Sequence, residues 1–476
     1  MDIISKLPSE LCGLVLEHLV LIEGFPRAVG LRLVSKWFER EITRAILATS
    51  VLLREKRTWY RYRCRDFWAS NQLQHMILSD GGGDNYLISV IRHSVKTLLL
   101  ESCQEPTLRG DEGAKYAVSL SEAAVFYFYG RRLLDILQYG KAANVETGIS
   151  QTPDAALHIL CAAAYVGHTQ LVESLLKQGT DCNLKSDVFG RPLCLAAFRG
   201  NIDIVKLLLA AGAKPQAYLR RPDNFNWHSN PRMAMIDLPE TPLQAAAYGG
   251  KDEIVKELMQ PKYDIPLSGV DYNQAVICAL RAGHVAIAER LIDGRDLSKQ
   301  YPGINPDVFE WALIEACREG VPDSITMCLN RGASANSDSV EAVPCLSFAA
   351  VSGSEDAVRI LLENGADPNK RARSTPLAKA ASAGHLGVVK LLLEYGAERN
   401  KVPRMQWPVM KAAAGGHEQV VRYLVENGCL IVGDEKYKGY SWTFVGQKAY
   451  ERALENGHTS VAEALLELGV KPDMSL

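Results

Sequence analysis

Eleven cysteines and ten histidines are the residues of this chain best suited to metal binding or nucleophilic chemistry, and their spacing argues against both. The cysteines run from Cys12 to Cys429 with no C-x-x-C, and no Cys/His set has the close spacing of a zinc site. An odd number leaves one thiol over in any full disulfide scheme, and no N-x-S/T acceptor occurs. The thiols therefore read as small core residues of a protein in a reducing compartment. Five histidines (His168, His284, His385, His417 and His458) each follow a glycine that recurs along the chain. Lying one period apart, they are too distant to share an ion and are expected to cap helices. The GGKD at 249–252 lacks the upstream glycine and the Ser/Thr of a phosphate-binding loop. There is no H-E-x-x-H, G-x-S-x-G, H-R-D or D-F-G, and acid pairs such as Glu253 with Glu257 read as solvated helix faces. No catalytic residue, cofactor or metal is expected.

The elements that carry these residues follow a repeat. The recurring glycine falls at Gly167, Gly200, Gly250, Gly283, Gly320, Gly353, Gly384, Gly416 and Gly457, mostly at intervals of about 33 residues. In the clearest unit, Thr375-Pro376 starts a helix because proline presets φ for a first turn. Ala380 and Ala381 keep that helix thin, and Gly384 ends it in a conformation that a β-carbon resists. Val388, Val389, Leu391, Leu392 and Leu393 then form the apolar stripe of a second helix, which Gly396 closes. One such pair cannot bury its stripe alone, whereas stacked pairs can.

This pattern resembles the ankyrin repeat family, with its T-P-L-H-x-A signature. The resemblance covers roughly two thirds of the chain, with nine units from about residue 154 onward and a degenerate tenth at 122–144. It implies an all-α fold: an ankyrin-repeat solenoid of about nine to ten helix-turn-helix repeats. The signature histidine is missing throughout, replaced by Cys161, Cys194, Gln244, Ile277, Ile314, Ser347, Ala378, Met410 and Glu451. A less uniform array than a consensus one is therefore expected, weakest at 273–293 and 309–331.

Family geometry turns the two residues before the register glycine toward a concave face: Tyr165 and Val166, Phe198 and Arg199, Arg281 and Ala282, Arg318 and Glu319. Turn tips add Phe189, Arg371, Arg373, Arg404 and Trp407. The interval from Gly200 to Gly250 holds about 17 extra residues, a Pro-, Asn- and aromatic-rich loop near 215–240. Its Arg220, Arg221, Phe225, Trp227 and Arg232 are residue types favoured at binding hot spots, although such a loop also serves simply by folding onto adjacent repeats. A second insert near 429–446 reads as a packed excursion bracing the last unit. The expected partner-binding set is Phe198, Arg199, Arg221, Phe225, Trp227, Arg371, Arg373, Arg404 and Trp407.

Residues 1–48 do not follow the repeat. Leu7, Pro8, Glu10, Leu11, Leu14, Leu19, Leu31, Arg32, Val34, Ser35, Lys36 and Phe38 give a pattern that resembles an F-box. The resemblance implies three short helices that bind the Skp-type adaptor of a cullin-RING ubiquitin ligase, with Leu7, Pro8, Leu11, Leu14, Leu31, Val34 and Phe38 as contacts. A segment this short buries only a small core, so its apolar helices need another surface, either an adaptor or the repeats themselves. Residues 49–120 read as a helical linker region with a flexible Gly-rich loop at 79–85. It includes a stretch at 53–68 where basic and aromatic residues interleave, and 121–476 form the repeat domain.

Composition bounds the function. With 53 Lys and Arg against 55 Asp and Glu, a net charge of -2 excludes a generally basic nucleic-acid binder, so direct nucleic-acid binding is not expected. Apolar residues at 47% fit a globular chain, no apolar run is long enough for a membrane span, and the first residues lack a secretory signal's basic start. The expected protein is a non-enzymatic, cytoplasmic or nuclear adaptor. Its ankyrin array binds a protein partner and its F-box-like module couples that partner to ubiquitin ligation. The alternative is a nuclear ankyrin scaffold or transcription coregulator without the ligase link.

Overall fold

The computed structural model describes residues 16, 43, 45–47, 65–79, 85–102, 107–108, 110–128, 155–216, 239–267, 270–294, 306–339, 342–370, 374–400, 407–431, 436–437 and 440–471. The chain divides into two compact units, Met1–Tyr218 with Ile236–Ile265 and Leu219–Met235 with Pro266–Leu476.

Among the described residues, the first unit includes three helices, α1 (Arg65–Leu78), α2 (Tyr86–Glu101) and α3 (Asp111–Phe128). Asn85 caps α2 by accepting from the Ile88 N–H. Arg92 of α2 donates to the Ile77 and Met76 carbonyls, each at 2.9 Å, and so closes the end of α1. Three helix pairs follow: α4 (Ala155–Val166) with α5 (Thr169–Lys177), α6 (Pro192–Arg199) with α7 (Ile202–Ala210), and α8 (Pro242–Tyr248) with α9 (Asp252–Leu258). The first helices α4, α6 and α8 stack in order, and α4 rests on α2 and α3.

In the second unit six more pairs are seen among the described residues. They are α10 (Val270–Arg281) with α11 (Val285–Asp293), α12 (Pro306–Glu319) with α13 (Pro322–Asn330), and α14 (Cys345–Ser352) with α15 (Glu355–Glu363). Next come α16 (Pro376–Ala383) with α17 (Leu386–Glu394), α18 (Pro408–Ala414) with α19 (Glu418–Glu426), and α20 (Trp442–Glu455) with α21 (Thr459–Glu467). Each first helix packs on the first helix of the next pair. Among the described residues the elements are helices apart from one antiparallel hairpin, β1 (Lys436–Tyr437) and β2 (Tyr440–Ser441), which leads into α20.

Local chemistry explains the pairs. Thr241 accepts from the Gln244 N–H while the Gln244 side chain accepts in return, giving a full capping box, and Thr375 accepts from the Ala378 N–H. The alanines Ala196, Ala197, Ala245, Ala246, Ala380, Ala381, Ala412 and Ala413 are fully buried, so neighbouring first helices approach closely. An asparagine ladder joins the turns. The amides of Asn336, Asn369 and Asn400 donate to the carbonyls of Gly365, Gly396 and Gly428, and their oxygens accept from the N–H groups of Asp367, Glu398 and Leu430. Asn183 does the same in the first unit toward Gly212 and Lys214. One side chain thus satisfies two backbone groups that the turns leave over.

The pair expected to be weak at 309–331 forms complete helices, but Ser324 in α13 is fully buried and its hydroxyl has no partner among the described residues. Ser324→Ala is expected to stabilise the second unit by about 1 kcal/mol, because it removes an unpaid desolvation. A lower urea midpoint for the variant would contradict this reading of α13.

Candidate functional site

The first-helix face of the first unit carries a row of aromatic rings. Phe198, two residues before Gly200, stacks on Phe126 of α3 with centroids 4.0 Å apart and on Tyr248 of α8 at 6.1 Å. Tyr165, the equivalent residue of α4, lies 6.4 Å from Phe198. Interplanar angles of 20 to 24° make the rings one near-parallel set. The repeat puts Tyr165, Phe198 and Tyr248 in one column, and Gly249 lets α8 close on α6: a β-carbon there would lie 2.3 Å from the Phe198 carbonyl oxygen. Arg199 sits 5.3 Å over the Tyr165 ring and 3.8 Å from Glu122, whose carboxylate also accepts from the Tyr165 hydroxyl at 3.5 Å. Burial, and then the Glu122 charge, hold the Tyr165 hydroxyl far above its ordinary pKa, so it is a permanent donor. Phe126, Phe198 and Tyr248 are half-buried, and Arg199 and Glu122 are exposed.

In the second unit the first two residues of the column, Arg281 and Arg318, are charged. Arg281 of α10 is 6% exposed and pairs with Glu319 at 3.2 Å and Glu315 at 3.7 Å, both on α12. Arg318 lies 4.4 Å over the Phe348 ring of α14 and 3.4 Å from Glu315.

A Ser–His–Asp constellation also exists. Ser186 Oγ is 2.9 Å from His158 Nδ1, while His158 Nε2 is 3.2 Å from the Tyr86 hydroxyl and 3.6 Å from Asp187. Ser186 is 1% exposed, and its oxygen already accepts from the Val188 and Phe189 N–H groups. Without access for a substrate, the set works as a buried clasp that ties α2 and α4 to the turn before α6. Burial and the Asp187 charge push the Tyr86 pKa up to about 12, and burial raises Asp187 against the opposing pull of His158.

The described cysteines are all free and buried. Burial pushes the thiols of Cys194, Cys278, Cys328 and Cys429 up to about 12, which suits packing more than reaction. Two of them take over part of the missing signature histidine's work: Cys161 donates to the Gly190 carbonyl and Cys194 to the Glu240 carbonyl, each reaching the next pair.

The recurring histidines are the N-cap residues of the second helices, and among the described residues no His/Cys/Asp/Glu group could hold a metal. Only His168 is shown accepting from its own helix, at the Leu171 N–H. His385 and His417 instead donate through Nε2 to the carbonyls of Val351 and Ser382 in the preceding pair. Burial lowers the His417 pKa, the Ser382 carbonyl opposes that, and His458 and His385 add to the lowering. Unfolded chain therefore takes up a proton more readily than folded chain. The second unit should lose stability as pH falls below about 6.5 and toward the lower folded value, and regain it on return to neutral. His417→Gln should flatten that dependence in urea titrations; an unchanged slope would rule out His417 as its source.

Of the residues expected to bind a partner, Phe198 and Arg199 lie together in the aromatic row. Trp407 does not belong to a surface: it is 2% exposed, and its indole N–H donates to the Asn400 carbonyl. Its position just before Pro408 is the N-cap site that Thr375 fills before Pro376, and that site faces the core. Phe189 and Tyr165 are likewise 1% exposed and serve the core. Arg221, Phe225, Trp227, Arg371, Arg373 and Arg404 lie outside the described residues, as do Leu7, Pro8, Leu11, Leu14, Leu31, Val34 and Phe38. Sequence reasoning missed Tyr248, although it stands two residues before Gly250 in register. It also missed Phe126 and Glu122, which lie at the start of the degenerate tenth unit, outside the regular glycine register.

Among the described residues, no helix is long and apolar enough to cross a membrane. The family model for ankyrin repeats matches residues 120–218 and 313–403. A stretch of 232 residues, 47% of this chain, is 28% identical to the Ankyrin repeat and KH domain-containing protein mask-1 of Caenorhabditis elegans. That stretch spans 8% of the relative's length. One matched segment lies in each compact unit.

Proposed function

We propose that this chain is a non-enzymatic adaptor whose repeats hold a protein partner on their first-helix faces. The observation that carries the reading is the aromatic row Phe126–Phe198–Tyr248 with its Arg199–Glu122 edge. Aromatic and arginine side chains dominate binding hot spots, and rings already stacked lose little freedom when a partner arrives. The buried thiols and the closed Ser186–His158–Asp187 clasp favour recognition over catalysis. The finer reading is that the F-box-like pattern of residues 1–48 couples the captured partner to a cullin-RING ubiquitin ligase. It rests on Leu7, Pro8, Leu11 and their companions in the sequence.

Co-purification tests the two levels separately. Full-length protein should retain a partner that Tyr248→Ser loses, and it should retain a Skp-type adaptor that Leu7→Asp/Pro8→Ala loses. Absence of adaptor from the unaltered chain would end the ligase reading and leave partner capture standing. Equal retention of partners by Tyr248→Ser would end the assignment of the row.

A further inference from the structure

The second unit contains an arginine arranged to receive a carboxylate. Arg318, in the last turn of α12, has its guanidinium 4.4 Å over the Phe348 ring. Its Nε faces Glu315 at 3.4 Å, one turn earlier on the same helix. Glu315 is itself held, at 3.7 Å, by the nearly buried Arg281, which also takes Glu319 at 3.2 Å. The two carboxylates thus converge on Arg281, and Arg318 keeps only a side-on share of Glu315. Among the described residues nothing pairs with the two Nη groups of Arg318, whose side chain is 41% exposed. On α14, which packs on α12, Val351 stands one turn beyond the half-buried Phe348, two residues before Gly353 as Arg318 is before Gly320, and is 40% exposed.

We propose that Arg318, Phe348 and Val351 form a docking site for an acidic-aliphatic segment of a protein partner. An Asp or Glu carboxylate takes the two Nη groups side by side, and a neighbouring aliphatic side chain covers Phe348 and Val351. The fork geometry of guanidinium matches a carboxylate, and its contacts with Phe348 and Glu315 lower the cost of ordering it. Charge selects the occupant. Glu315 already engages the Nε edge of Arg318, so the two Nη groups have room for one further carboxylate flanked by apolar groups, whereas a run of nucleic-acid phosphates would also meet the partly exposed Glu319 carboxylate. This inference rests on the reading of the repeats as a protein-binding array and names the partner chemistry at one position of it.

The test uses the full-length chain. Short random peptides displayed on phage are selected against it, and the enriched ones are titrated by fluorescence polarisation against wild type, Arg318→Gln, Arg318→Lys and Phe348→Leu, with oligothymidylate titrated in parallel. The expected result is a peptide class with Asp or Glu next to an aliphatic residue. Its affinity should fall about tenfold or more in Arg318→Gln, and nearly as far in Arg318→Lys, which keeps charge without the fork. Circular dichroism of the exposed-site variant Arg318→Gln should match wild type, and Phe348→Leu should weaken binding less than Arg318→Gln. Peptides that bind all variants equally but fail on Tyr248→Ser would overturn this site and leave the adaptor reading intact. Failure to enrich any peptide would count against both. Oligothymidylate binding that depends on Arg318 would assign the site to nucleic acid and overturn the proposal.

Discussion

Gly384→Ala is expected to destabilise the second unit by about 3 kcal/mol, whereas Gly396→Ala, in the same repeat, should cost only about 1 kcal/mol. Both glycines are left-handed, with φ of +80 and +83°. An L-residue pays roughly 1–2 kcal/mol in that region, partly offset by a less disordered unfolded chain. Their surroundings differ. A β-carbon on Gly396 meets nothing within 4 Å, but one on Gly384 would lie 2.4 Å from His417 Nδ1 and 2.6 Å from Cε1. The imidazole must swing away, which also breaks its bond to the Ser382 carbonyl. Native-state hydrogen exchange of the α16 and α18 amides reads both losses locally, without assuming that the whole chain unfolds in one step. Equal losses would show that the ring yields freely. Recovery in Gly384→Ala/His417→Ala, relative to Gly384→Ala alone, would locate the excess in this contact.

The second large effect is at Phe198. Its ring contacts Phe126, Tyr165 and Tyr248, so Phe198→Ala removes three ring neighbours at once. A fully buried Phe→Ala change costs about 3–5 kcal/mol, and the half-buried position of Phe198 lowers the expectation for the first unit to about 2–3 kcal/mol. Partner affinity should fall about tenfold or more, since the row loses its central ring. Phe198→Leu separates the two effects. It keeps most of the buried volume and should stay within about 1.5 kcal/mol of wild type while still weakening capture. Chemical denaturation of the first unit together with partner titration checks this. Full binding by a folded Phe198→Leu would show that stacking at this ring is dispensable for recognition.

What the sequence could tell divides along physical lines. The helix pairs were legible because local chemistry dictates them: Thr241-Pro242 and Thr375-Pro376 start helices, and Gly200, Gly353 and Gly384 stop them in left-handed conformations. Phe198 and Arg199 were legible for the same reason, since the glycine register fixes which way they face. Trp407 was misread as a turn tip because its aromatic character outweighed its place before Pro408. The threonines at that place in other pairs are 3 to 5% exposed, so the register alone pointed to the core. Phe126 and Glu122 were beyond sequence reach because their contribution depends on how the end of α3 lies against α4 and α6. The histidines stand at N-cap positions, as their place after the glycine suggests, but His385 and His417 bond backward to the previous pair, which only packing reveals. The thiol bonds of Cys161 and Cys194 compensate for the missing signature histidine in a way that residue types alone do not announce.

The most direct test of partner capture by the first-helix faces is site-specific photo-crosslinking in the full-length chain. A photoreactive phenylalanine derivative is placed at Tyr248 and at Val351 on first helices, and at the exposed Lys206 and Arg359 on second helices. The account predicts protein adducts from Tyr248 and Val351 and none of comparable yield from Lys206 or Arg359. Adducts confined to the second-helix positions, or none from any of the four, would contradict it.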